Sequence, residues 1–206
     1  MFGDKKHVRI EVKNKGRRSF LGHGLMTVAA IASVAALPGC SASKSGTTTT
    51  ITLNVAEVVD YGTAILSFAS TSINVSFVAS AMGTANLALA NTVIASLKSA
   101  LAAFLSAAGS STSVTYDSAS VKTAFDSVLA DVEKIDTLIV AVITGTAANL
   151  SSSVVSEAKT AAGAAETLIS LLKAMIDMSG PRLHAVSPLN GDAAIGEIAV
   201  FAASQG

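Results

Sequence analysis

The chain has 206 residues, half of them apolar, with 4% aromatic and 14% charged side chains. Its 14 basic and 14 acidic groups cancel, yet residues 1–39 carry 7 basic against 2 acidic groups and residues 40–206 carry 7 against 12, a net charge of −5. A body of that sign excludes a nucleic-acid partner, whose binding needs clustered cations to displace counterions, and it offers anionic lipid no polybasic patch.

Lys5, Lys6, Arg9, Lys13, Lys15, Arg17 and Arg18 make the start of the chain basic, and Leu25 to Leu37 form a 13-residue uncharged run rich in Ala and Val. As a helix that run spans about 20 Å, short of the roughly 30 Å hydrocarbon core of a bilayer. A basic flank, a short apolar centre and small residues before a break describe an export signal over residues 1–39, to be left out of the fold. The competing reading is a buried N-terminal helix.

The stretch Gly16-Arg17-Arg18-Ser19-Phe20-Leu21-Gly22 resembles the twin-arginine export motif, with Arg17, Arg18, Phe20 and Leu21 at its matching positions. Leu37-Pro38-Gly39-Cys40 resembles the lipobox of bacterial lipoprotein precursors, and the order and separation of the two motifs support one another. The resemblance covers about the first fifth of the chain. It implies that the export and lipoprotein-processing machinery attach diacylglycerol to the thiol of Cys40, cleave before Cys40 and acylate the freed amine, so that membrane lipid is a partner. Ser41, where in some bacteria an acidic residue holds lipoproteins at the inner membrane, implies the periplasmic face of the outer membrane, with the inner membrane and the cell surface as the alternatives. Cys40 is the only cysteine. Acylation leaves no thiol to oxidise, and two or three chains anchor stably at about 0.8 kcal/mol per buried CH₂.

Residues 40–52 read as a lipidated polar tether, although the β-branched Thr47 to Leu53 also suit an extended strand. Residues 53–180 read as an all-α, antiparallel four-helix bundle. The first stripe is Val55, Val59, Gly62, Leu66, Ala69 and Ile73, with Phe77 beyond and Asn54 and Glu57 spaced as a capping box. Gly83-Thr84 reads as the break before a second stripe of Leu87, Ala90, Ile94, Leu97, Leu101 and Phe104, and Gly109 to Ser113 reads as a loop. The third stripe is Val121, Phe125, Val128, Val132, Ile135, Ile139 and Val142, with Asp126, Asp131, Glu133 and Asp136 off it and Lys122 set to meet Asp126. The uninterrupted apolar run Leu138 to Ile143 suits a strand as well, but it continues this helical pattern. The fourth is Val154, Ala158, Ala161, Ala165, Leu168, Leu172 and Met175, stopped by Ser179-Gly180-Pro181. Residues 181–206 form a C-terminal extension with a short helix from about Ala193 to Ala203 that docks on the bundle.

Little in this body points to chemistry. After Cys40 there is one histidine, His184, and no further cysteine, so a His/Cys metal site is excluded in the monomer and no cofactor is expected. Ser179 and Ser187 flank His184 in sequence, but no Gly-x-Ser-x-Gly elbow, phosphate loop or dinucleotide fingerprint accompanies them. Asp131, Glu133 and Asp136, like Glu57 and Asp60, read as solvated helix faces. No charge lies between Tyr61 and Leu97, which suits a membrane-spanning or pore-forming hairpin over residues 61–108; the many Ser, Thr and Asn side chains there suit instead the polar face of an amphipathic helix. The expectation is a lipid-anchored, non-enzymatic structural or interaction protein of the cell envelope, its Ala-rich stripes suited to a homo-oligomer.

Overall fold

A strand that turns directly into a helix organises the described part of the chain. The computed structural model describes residues 40–45, 48–147, 152–177 and 190–205. The motif residues Arg17, Arg18, Phe20, Leu21, Leu37, Pro38 and Gly39, the stop at Ser179 to Pro181, Ser187 and His184 lie outside them. Three antiparallel strands, β1 (Cys40–Ser45), β2 (Thr48–Asn54) and β3 (Ser113–Thr115), stand in the order β1-β2-β3. Along β2, Ile51 and Leu53 are buried while Thr50 and Thr52 are half-buried, the period-two burial of a strand with one covered face. The fold is therefore mostly helical, as expected, with a small sheet that the all-α reading leaves out. The supposed tether is paired backbone, because the alternation of Thr with Ile and Leu covers a face of the helical core.

Helix α1 (Val55–Ser72) starts at Asn54, whose Oδ1 accepts from the backbone N–H of Ala56 at 3.0 Å and of Glu57 at 3.5 Å. Its Nδ2 reaches Glu57 Oε1 at 3.4 Å, a side-chain variant of the expected capping box. The first stripe continues through Ile73 in sequence, but α1 stops about ten residues before the expected break. There the Asn74 and Val75 N–H groups bond back only three residues, to the Thr71 and Ser72 carbonyls at 3.0 and 3.1 Å, and the Asn74 side-chain amide takes the Ser70 carbonyl at 2.8 Å. Helix α2 (Ser76–Ala108) follows, and at Gly83 the expected interruption does occur, with φ 69° and ψ 169°, a conformation only glycine adopts easily. Gly109 closes α2.

Helix α3 (Ala119–Ile135) runs into a π turn (Asp136–Val140) and then α4 (Ala141–Ala147). At the junction the Thr137 hydroxyl bonds to the carbonyls of Glu133 and Lys134 at 3.0 and 3.1 Å. The extra residue in a π turn rotates everything after it. Accordingly Ile135 and Ile139 are buried as the stripe requires, but Val140 and Ile143 follow them inward and Val142 is only half-buried. Helix α5 (Ser153–Ile176) is capped by the Ser152 hydroxyl, which accepts from Val155 N–H at 3.3 Å, and it buries Ala158, Ala161, Ala165, Leu168, Leu172 and Met175 as read, with Val155 in place of Val154. Helix α6 (Gly191–Gln205) extends the expected C-terminal helix at both ends, with Asn190 Oδ1 accepting from Ala193 N–H at 3.1 Å.

One core joins these elements. Helix α1 packs on α2, α5 and α6, α2 packs on α3, and α5 packs on α1 and α6. Phe68 and Phe201 meet with ring centroids 6.3 Å apart, and Phe104 and Phe125 meet at 6.0 Å, each pair crossing between helices. Elsewhere aliphatic side chains such as Ile65, Leu97, Ile139 and Leu168 fill the core beside many small ones, with Ala158, Ala161, Ala162, Ala164 and Ala165 all buried on α5.

At the start of α6 a glycine is pressed against an aromatic ring. A Cβ on Gly191 would lie 2.6 Å from the Tyr61 Oη and 2.8 Å from two of its ring carbons, whereas one on Gly196 of the same helix would meet nothing within 4 Å. Gly191→Ala is expected to lower stability by roughly 1–3 kcal/mol, because a rigid ring must move. Gly196→Ala is expected to hold stability or raise it by up to about 1 kcal/mol through helix propensity. Thermal unfolding of the two variants side by side checks the pair.

Candidate membrane-attachment site

Cys40 is the first residue of β1 and pairs with Leu53, and Leu53 pairs in turn with Val114 of β3. The three residues form one row across the sheet, centred on a fully buried leucine. One position further on, Asn54 pairs with Ser113 and caps α1, and the Val55 N–H donates to the Thr112 carbonyl at 3.0 Å. Sheet pairing, helix cap and loop contact thus converge within two residues of the partner of Cys40. The loop that enters β3, Gly109 to Thr112, lies at this same end of the sheet because β2 and β3 are antiparallel. All its residues are exposed and none is charged. The other end carries the Ser45–Thr48 pairing.

The nearest acidic group in sequence is Glu57, in the first turn of α1. Its Oε2 is buried with no hydrogen-bond partner among the described residues. Burial raises its pKa above the ordinary carboxylate value, and the negative charges of Asp192 and Asp60 raise it further. The sequence spacing reveals Asp60 as a neighbour, but not Asp192, which α6 brings across from 135 positions away.

The acidic residues of the third helical run do not form one solvated face. Asp131 is 3% exposed, three residues after buried Val128 and four before buried Ile135, so the apolar stripe is wide enough to include it. Lys134 meets its Oδ1 at 3.3 Å. Glu133 is exposed and pairs with Lys173 of α5 at 3.0 Å, a surface contact worth at most about 1 kcal/mol. Among the described residues no group of three or more His, Cys, Asp or Glu is placed to hold a metal ion.

Sequence spacing identifies Lys122 and Asp126 as a pair, and their ions do meet at 3.0 Å. It misses the third member. The Tyr116 hydroxyl donates to Asp126 Oδ1 at 2.6 Å, Lys122 Nζ donates to the Tyr116 hydroxyl oxygen at 2.6 Å, and the ammonium sits 4.4 Å from the ring centroid. Burial and then the Asp126 bond raise the Tyr116 pKa, while the bonds to Tyr116 and then Asp126 raise that of Lys122. Both shifts keep the resting protonated states, so the trio provides neither a phenolate nor a neutral amine near neutral pH. It pins the turn after β3 to the first turns of α3. A turn tyrosine six residues before a lysine has no periodic signature, which is why the helical pattern does not disclose it.

Grooves run between helices among the described residues. One of about 450 Å³ runs between α5 and α6, with Glu157 and Glu197 beside Val200 and Phe201. Another of about 630 Å³ runs between α2 and α3 and is lined only by Ala, Ser and Thr. No family model, curated protein or solved structure matches the chain.

The unpartnered Glu57 oxygen gives a pH signature. A carboxyl whose folded pKa is raised favours the fold while protonated, and that contribution is lost as pH rises from the unfolded value through the folded one. Glu57→Gln keeps an acceptor for Asn54 and removes the charge. It is expected to unfold at higher temperature than the parent at pH 7, with the difference vanishing below about pH 4, where both side chains are neutral. Melting curves recorded from acid to neutral pH check this.

Proposed function

We propose that the protein is a lipid-anchored helical structural or interaction protein of the bacterial cell envelope, exported by the twin-arginine route and held by acyl chains on Cys40 at the periplasmic face of the outer membrane. The observation that carries this reading is the order of Arg17-Arg18, the uncharged Leu25 to Leu37 and Leu37-Pro38-Gly39-Cys40 in one N-terminal stretch. The described residues of β1, Cys40–Ser45, all remain in the chain after cleavage before Cys40. We read the helical body as an antiparallel four-helix bundle of α1, α2, the α3–α4 run and α5, with α6 docked on α1 and α5. Its role is non-catalytic, in keeping with a Tyr116–Lys122–Asp126 trio that is fully committed to its own bonds.

A second reading has one observation in its favour. Helix α2 is long and apolar enough to cross a membrane by length and composition, and Leu89 and Leu105 are exposed on it at 48% and 45%. Insertion of residues 61–108 as a pore-forming or membrane-remodelling element would pull Ile65 and Phe68 on α1 and Leu97 and Phe104 on α2 out of the one core in which all are now buried.

Fractionation separates the two. The Cys40→Ala chain, given a signal that is cleaved without lipid attachment, is expected in the soluble periplasmic fraction, while the parent stays with the membrane; retention of the unlipidated chain would favour insertion. Mass spectrometry of the parent is expected to find Cys40 as its first residue, carrying two or three acyl chains. Recovery of a product with residues before Cys40 attached and the sulfur bare would remove the anchor. Arg17→Lys with Arg18→Lys is expected to abolish export of a folded reporter.

A further inference from the structure

Given the lipid anchor proposed above, on which this inference rests, the strand pairing determines how the anchored protein sits. A flexible linker of the length of residues 40–52 would let the body wander roughly 20 Å from its lipid. The chain has no such slack: β1 pairs with β2 from Cys40 through Ser45, and β2 leads without a gap into α1. We infer that the acylated protein is mounted on the bilayer by the Cys40 end of its sheet, with the loop from Gly109 to Ser113 seated in the headgroup layer of zwitterionic lipid.

Strand geometry brings the loop to the bilayer. Neighbouring strands lie about 5 Å apart, which places Leu53 about 5 Å and Val114 about 10 Å to the side of Cys40. Ser113 and Thr112 follow Asn54 and Val55 at that edge, through the Asn54–Ser113 pairing and the bond from Val55 N–H to the Thr112 carbonyl at 3.0 Å. A bilayer that holds acyl chains on Cys40 therefore has this loop within reach of its headgroups. The far end of the β1–β2 pair, at Ser45 and Thr48, stands about 17 Å along the strands.

Side-chain chemistry selects the lipid. Gly109, Ser110, Ser111, Thr112 and Ser113 are all exposed, and four of the five bring a hydroxyl able to donate to phosphodiester and ester oxygens. Leu105, 45% exposed, lies one helical turn before Gly109, whose N–H bonds to the Leu105 carbonyl. There is no lysine or arginine from Asn54 to Tyr61 or from Ser99 to Val121, the segments that build this end. Among the described residues, Asp192 and Asp60 lie close enough to Glu57 to act on its charge, and all three are of the same sign as an anionic leaflet. Among the described residues of this end, hydroxyls in segments without lysine or arginine, beside carboxylates, fit phosphatidylcholine or phosphatidylethanolamine and disfavour phosphatidylglycerol.

The chain has no tryptophan, so a single introduced one reports its own surroundings. Ser111→Trp and Ser45→Trp replace exposed residues at the two ends of the sheet. Each full-length variant is processed in cells, purified with its lipid and placed in phosphatidylcholine vesicles containing a headgroup-nitroxide lipid. Quenching is expected to be at least about threefold stronger for Trp introduced at Ser111 than at Ser45, and weaker when phosphatidylglycerol replaces half of the phosphatidylcholine. Equal quenching at the two sites, or stronger quenching at Ser45, overturns the mounting. Amide exchange on the unsubstituted protein tests the same contact should a tryptophan disturb folding: residues 109–113 should be slowed at least threefold on vesicles relative to the unlipidated Cys40→Ala chain, and equal rates overturn the inference. Flotation distinguishes failure of the mounting from failure of the anchor. Protein that floats with the vesicles yet shows equal quenching refutes only the mounting, whereas parent protein that does not float refutes the anchor as well.

Discussion

The change from strand to helix at Leu53 and Asn54 is the constraint on which the arrangement depends. Leu53 is fully buried and pairs on both sides, with Cys40 and with Val114, while Asn54 ends the strand and caps the helix. A side chain other than Asn, Asp, Ser or Thr at that position would leave the first amides of α1 without an acceptor, and a one-residue slip of β2 would turn Ile51 and Leu53 away from the helices. The direction of α1, the placement of β3 and the location of Cys40 all follow from this junction. Glu57 is close enough to be desolvated by the same packing, and its buried oxygen is the electrostatic cost of crowding the starts of α1 and α6 together.

A core with so few aromatic residues must obtain its cohesion by proximity. The buried alanines of α5 contribute little area each, so the larger side chains are concentrated where helices cross, in the Phe68–Phe201 and Phe104–Phe125 pairs. Gly191 against Tyr61 is the same device taken further, a contact in which even a methyl group is too large. Charged groups are kept mostly to the rim, with Asp131 the exception; its pairing with a lysine one turn away limits the penalty of burial.

Much of the helical layout was legible in the sequence because a stripe of period 3.6 records which face is covered. The third and fourth runs, the Asn54 cap, the Gly83 interruption and the C-terminal helix could all be read in that way. The end of α1 could not, because the tightened backbone turn over Thr71 to Val75 leaves the apolar spacing intact. The first strand escaped for a different reason: six residues of Cys, Ser, Ala and Lys have a polar composition that suits a tether equally well, and only pairing with β2 distinguishes the two. At the candidate site, the sequence motif points to Cys40, but no motif points to its neighbours. Val114, Ser113 and Asp192 come from elements 70 or more residues away, and no spacing rule reaches that far.

The π turn at Asp136–Val140 has a consequence for how one helical run serves two neighbours. Before it, α3 lies mainly against α2; after it, α4 lies mainly against α5. Advancing an α-helix by one residue turns its surface by about 100°. The added residue therefore works as a gear change, swinging the apolar side of a continuous rod from one partner to the next without a loop between them.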